Sequence, residues 1–175
     1  MLTIIIDGYN FIFNSYFKVS FKSDELQKLR EETINFLSKY YNVKKNKVVV
    51  VFDGYNTDEP LESKYNRQNI DVVYSKKDEK ADDVIVRLSK SIKGSLLVVT
   101  NDNDIRRKVS NADCSCLDID EFIKLARGII ENGGNRPYEE YDDDDAERRT
   151  GGAKKGNPHK LSKKERLKIK KIKKL

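Results

Sequence analysis

Short apolar runs recur along the chain, and three of them close on an aspartate. Thr3 to Ile6 runs into Asp7-Gly8, Lys47 to Phe52 into Asp53-Gly54, and Ser95 to Thr100 into Asn101-Asp102. Asp71 to Tyr74 is a shorter run, and Ser115 to Leu117 a weaker one. Runs this short, β-branched and apolar without alternation, read as strands buried on both faces. Between them the spacing changes to three and four residues. Ser23 and Asp24 can cap a helix carrying Leu26, Leu29, Thr33, Phe36, Leu37 and Tyr40 on one side. Ala81 to Ile92 places Val84, Ile85, Leu88 and Ile92 on one face and stops at Gly94. Asn103 to Ser110 is a short helix. Asp118 or Asp120 opens a last one with Ile119, Phe122, Ile123, Ala126 and Ile130, ending near Gly133-Gly134. Strands alternating with helices predict an α/β domain built on a parallel sheet.

After Gly133 the pattern collapses. The division expected is a folded domain over 1–134, an acidic then glycine-rich linker over 135–160, and a basic amphipathic helix over 161–175. Asp142 to Asp145 reads as a solvated run. Ser162 and Glu165 look like a capping box, with Leu161, Ile169, Ile172 and Leu175 on one side of the helix that follows. Charge changes this picture. Of the net +6, residues 151–175 supply eleven Lys or Arg against one Glu, a net +10, so residues 1–150 carry −4. The basicity belongs to the tail, where it serves either a polyanionic partner or solubility alone. The two cysteines, Cys114 and Cys116, form neither a disulfide framework nor a zinc set, which fits a reducing cytoplasm. The N-terminus has no basic segment and too short an apolar run for a signal peptide or a membrane span.

The single histidine, His159, lies in the tail, so the domain has no Ser-His or Cys-His pair and no imidazole ligand. Chemistry in it must come from carboxylates or lysines. Parallel sheets bind ligands at the carboxyl ends of their strands. Asp7, Asp53 and Asp102 sit at three such ends, and Asp82 opens the helix after the third run. Carboxylates gathered at one rim raise one another's pKa unless a cation sits among them, and Mg²⁺ or Mn²⁺ suits oxygen ligands. Each residue also has a plainer role: Asp7 and Asp53 as turn residues, Asp82 as a first-turn acid, Asp102 and Asp104 as helix caps, Asn10 as a ligand-orienting residue or a cap.

Ile4-Ile-Ile-Asp7-Gly8-Tyr9-Asn10, Val49-Val-Val-Phe52-Asp53, Ala81-Asp82 and Val98-Val-Thr-Asn-Asp102, in that order, resemble the YacP-like branch of the NYN domains, within the PIN-like nuclease fold. The resemblance runs from Leu2 to about Ile130. It implies a three-layer α/β/α sandwich with a central parallel sheet of about five strands, and metal-dependent endoribonuclease activity. In this branch it further implies cutting of single-stranded mRNA on the ribosome, by attack of metal-activated water on a phosphodiester. Asp7, Asp82 and Asp102 match the acidic metal-binding positions, with Asp53 and Asn10 in support. Asn101 stands where serine is usual, and Asp104 is an additional acid that either joins the metal or caps the helix.

Two rivals remain. One is a non-catalytic RNA- or ribosome-binding module acting through the tail. The other is a haloacid-dehalogenase-type phosphatase, which needs a second Asp two residues after the first. Positions 9 and 55 are tyrosine. No P-loop or dinucleotide-binding glycine turn is present.

Overall fold

The computed structural model describes residues 1–16, 23–54, 63–109, 114–133, 168–169 and 171–175. Eleven elements follow in the order β1 (Thr3–Asp7), α1 (Gly8–Tyr16), α2 (Ser23–Lys44), β2 (Lys47–Phe52), β3 (Ser63–Arg67), β4 (Ile70–Tyr74), α3 (Ala81–Ser91), β5 (Leu96–Val99), α4 (Asn103–Lys108), β6 (Cys114–Leu117) and α5 (Ile119–Glu131). They form one six-stranded sheet in the order β3-β4-β2-β1-β5-β6. All neighbours pair in parallel except β3, which runs antiparallel to β4 at the edge. β1 lies at the centre, with Ile5 opposite Val49 on one side and Val98 on the other.

The uninterrupted apolar runs are explained by burial on both faces. Ile4, Ile6, Val48, Val50, Phe52, Val72, Tyr74, Leu97 and Val99 face a core layer with Phe11, Leu37 and Phe122 from α1, α2 and α5. Ile5, Val49, Val51, Val73, Leu96 and Val98 face the other layer, with Val84, Ile85 and Ile105 from α3 and α4. The chain therefore builds β2 and β4 on one side of β1, crosses under the sheet through α3, and resumes at β5 on the other side. This places the topological switch at the carboxyl ends of β1 and β5.

Two elements, β3 and α1, add to the expected parallel sheet of about five strands and its flanking helices. The sixth strand, β3, has the polar sequence Ser-Lys-Tyr-Asn-Arg and is mostly exposed, as suits an edge strand guarded by charge. Helix α1 begins directly after β1, inside the Asp-Gly-Tyr-Asn that reads as a turn. Gly8 permits that abrupt entry. A Cβ there would stand 2.4 Å from the Phe52 ring and 2.7 Å from the Val51 carbonyl oxygen. Gly8→Ala must push helix and strand apart, at an expected cost of about 2 kcal/mol, read as a lower urea midpoint at unchanged slope.

The C-terminal residues are part of the domain. Residues 168–169 and 171–172 are helical, Leu175 is 2% exposed within the α2–α5 core layer, and Ile172 packs on the same layer. Asn46 donates from Nδ2 to the Lys174 carbonyl and to the Tyr40 hydroxyl, and Lys168 pairs with Glu121 at 3.0 Å. Of the face expected from Leu161 to Leu175, Ile172 and Leu175 point inward, whereas Ile169 is exposed. Leu161, Ser162, Glu165, Asp142 to Asp145 and His159 lie outside the described residues. Among the described residues no helix is long and apolar enough to cross a membrane.

Candidate active site at the acidic rim

Asp7 is the last residue of β1 and the N-cap of α1. Its Oδ1 accepts from the Asn10 backbone N–H at 3.2 Å. Its Oδ2 accepts from Asn10 Nδ2 and from the Thr100 hydroxyl, each at 3.0 Å. Even so, burial holds its pKa above the usual carboxylate value. The three donors only partly offset that, and Asp82 adds repulsion.

Thr100, fully buried at the end of β5, carries the rim. Its hydroxyl donates to Asp7 and accepts from the Asp102 backbone N–H at 3.0 Å. Its carbonyl accepts from Arg106 Nε at 3.0 Å and Nη2 at 2.6 Å, and the same Nη2 reaches Asp118 at 2.6 Å. Asp102 caps α4, its Oδ1 accepting from the backbone N–H groups of Asp104 and Ile105. Its Oδ2 meets no donor among the described residues. Asn101 has a structural use of its own: Oδ1 caps α5 at the Ile119 N–H, and Nδ2 donates to Asn14, which in turn donates to Asn10.

Asp53 anchors rather than faces outward. Its Oδ1 accepts from the Ala81 N–H at 2.7 Å, and Lys80, the N-cap of α3, supplies no side-chain bond of its own. The carboxylate at the end of β2 thereby fixes the start of α3 and so the position of Asp82. Asp82 is half-buried and accepts no hydrogen bond from any described residue. Burial raises its pKa, and Asp102 and then Asp53 raise it further, against a smaller pull from Lys108. Asp104 is not brought to this group: it pairs with Arg107 at 2.6 Å, its side chain 68% exposed.

Asp7, Asp82, Asp53 and Asp102 thus share one rim, electrostatically coupled through Asp82. Among the described residues, no three Asp, Glu, His or Cys side chains close into a ready-made cage. The donor set is all hard oxygen. It fits a cation such as Mg²⁺, which takes one or two carboxylates and completes its shell with water. Helices α1, α3 and α4 begin at this rim, and backbone N–H groups of their first turns donate to Asp7, Asp53 and Asp102, which tempers the carboxylate charge.

Of the flanking cations, Arg106 is a clamp, while Arg87 pairs with Glu79 and Arg107 with Asp104. Lys76 and Lys77 are exposed. Thr100 and Arg106 carry the largest structural share that motif reading does not assign to the site.

A carboxyl group whose pKa is higher in the folded chain binds more protons there than in the unfolded chain. Its ionisation lowers stability as pH rises from about 4 through the raised value. The metal-free Asp82→Asn protein is therefore expected to gain melting temperature relative to the parent as pH increases from 4 to 7. A difference that stays constant over that range would remove the electrostatic coupling from the account.

A family model for the YacP-like NYN domain matches residues 4–174. A curated relative, the uncharacterized protein YacP of Bacillus subtilis, is 28% identical over 89 residues, 51% of this chain. The matched region spans about half, 52%, of that relative's length. Two crystal structures of Rae1 (YacP) from Bacillus subtilis, one a point mutant, share the fold with TM-scores of 0.61 and 0.60. Their identities are 22% and 23%, and each alignment covers 75% of this chain and 78% or 76% of the other.

Proposed function

The chain belongs to the YacP-like NYN domain family, and from that premise we propose that it is a divalent-metal-dependent endoribonuclease cutting single-stranded RNA, with mRNA on the ribosome as its working substrate. Membership itself carries only a nuclease-like, RNA-related role. The finer reading is supported above all by Asp82: a half-buried carboxylate with no hydrogen-bond donor, set against Asp7, Asp53 and Asp102. An arrangement that repels itself is retained where a cation completes it.

Asp82, the open Oδ2 of Asp102 and Asp7 would hold Mg²⁺ or Mn²⁺. Such an ion supplies charge stabilisation at a phosphodiester and acidifies water. The chain's own residues do the positioning. Asn10 and Thr100 fix the Asp7 carboxylate, Asp53 sets the register of α3, and Arg106 holds the β5 end against α5. Asp104 enters this scheme through its backbone, as part of the α4 cap.

The test is end-labelled single-stranded RNA incubated with full-length protein, with Mg²⁺ or Mn²⁺ and then with excess chelator. Internal cuts that need the metal are expected. Mapping mRNA ends on translating ribosomes treated with parent or Asp82→Asn protein then tests the ribosomal substrate. RNA left intact under every metal condition, on and off the ribosome, sinks the proposal.

A further inference from the structure

Beside the acidic rim, the carboxyl ends of β1, β2 and β4 carry a row of aromatic rings. Tyr9 lies 5.4 Å from Phe52, Phe52 lies 5.6 Å from Tyr74, and Tyr74 lies 6.1 Å from Tyr65, centroid to centroid. The row starts two residues after Asp7 and includes the residue before Asp53. It ends at Tyr65 on the edge strand β3. The Tyr65 and Tyr74 planes are only 20° apart, so one face of Tyr65 rests on Tyr74, and 40% of the residue remains exposed.

Arg30 of α2 lies over this row, 5.3 Å from the Tyr9 centroid and 5.7 Å from that of Tyr74. It donates to the Tyr9 hydroxyl and to Gln27. No described carboxylate forms an ion pair with it, and its Nε has no acceptor. Its charge is therefore not cancelled by an ion pair among the described residues, beside a rim that is negative. Lys64, next to Tyr65, is exposed, and its one ion pair among the described residues is a long 3.9 Å contact to Asp71.

On the reading of this chain as a nuclease for single-stranded RNA, we propose that Tyr65, supported by Tyr74 and Arg30, is a stacking site for an unpaired nucleobase of the substrate. An exposed ring backed by a second ring, beside uncompensated positive charge, is the combination by which single strands are held without sequence readout. The rim supplies little affinity for a polyanion by itself, so binding must be sought beside it, and this row begins at the rim. The competing role is structural: Tyr65 packing across the strands onto Tyr74. That role predicts an effect on stability and none that depends on a base.

The test measures binding of a short oligouridine by fluorescence anisotropy, using full-length Asp82→Asn protein so that no cutting intervenes. Tyr65→Ala is expected to weaken binding on the order of tenfold, and Tyr65→Phe by less than about twofold, because a π face suffices. An oligonucleotide of the same length with every base removed is expected to bind the parent as weakly as oligouridine binds Tyr65→Ala, with no additional loss when the two changes are combined. Equal binding by parent and Tyr65→Ala overturns the proposal. So does an equal Tyr65→Ala loss on the intact and the base-free strands, and so does a failure of the parent to bind oligouridine. Failure of the nuclease reading shows elsewhere, as uncut oligouridine with Mg²⁺ or Mn²⁺ and the Asp82-containing protein.

Discussion

Asp82→Asn is expected to lower the rate of RNA cutting on the order of a hundredfold or more, with the melting temperature of the metal-free protein unchanged or raised. Most active-site substitutions confound these two readouts, and this one separates them. Asp82 accepts no hydrogen bond from the described residues, so the amide costs the fold no contact, and it removes a charge opposed by Asp102 and Asp53. Asp7→Asn is a poorer probe. Asp7 takes donors from Asn10 twice and from Thr100 once, so an amide nitrogen in its place turns a donor toward donors. A matched pair of measurements decides the matter: initial rates on labelled RNA with metal, and thermal melting with and without it. Metal is expected to raise the parent's melting temperature by binding only the folded state, and to do so less for Asp82→Asn. A variant that cuts at the parent rate removes Asp82 from the chemistry. One that melts well below the parent removes the claim that the carboxylate is under repulsion.

Deleting residues 168–175 is expected to destabilise the domain by about 3–5 kcal/mol, the range of emptying a large buried apolar site. Leu175 is in the core layer between α2 and α5, Ile172 packs beside it, and Asn46 would lose the Lys174 carbonyl while facing the buried Tyr40 hydroxyl. The burial that shelters Tyr40 raises its pKa to about 12, which marks how dry this corner is. Urea unfolding of the truncated and full-length proteins measures the cost, and Leu175→Ala should reproduce much of it. An unchanged midpoint for both would show that the segment does not seal the core. It follows that removing residues 151–175 is a poor way to separate RNA binding by the tail from cutting by the domain, since it also opens the core. Replacing the exposed Lys173 and Lys174 with Gln changes charge and leaves Leu175 in place.

The sheet was legible because its strands are buried twice over. A run such as Val48 to Phe52 has no face on which a polar residue could be tolerated, so hydrophobicity alone marks it. β3 left no such mark: an edge strand half out of the sheet may be Ser-Lys-Tyr-Asn-Arg, and its pairing is set by β4 and a tight turn at Gln68-Asn69, both with positive φ. The rim acids were legible as strand ends and as a family pattern, but their division of labour was not. Asp102 caps its own helix, as its place before α4 allows, whereas Asp53 spends an oxygen on the start of α3, a bond that depends on where another segment of chain arrives. Thr100 reads as the last residue of an apolar strand, and Arg106 as one cation in a basic helix. Only the folded chain shows that the first bridges Asp7 to Asp102 and that the second grips its carbonyl.

The central position of β1 has a consequence for synthesis. Its partner on one side, β5, is made long after it, and the hydrogen bond that joins Thr100 to Asp7 spans 93 positions. Such distant pairings form slowly and late. A nascent chain that has emerged only as far as β4 has two central strands with one flank of β1 still open, and no Thr100 or Asp102 to complete the rim. The polypeptide thus gains its acidic centre only when translation of this domain is well advanced, and a chain stalled midway carries the first aspartate without the neighbours that give it a use.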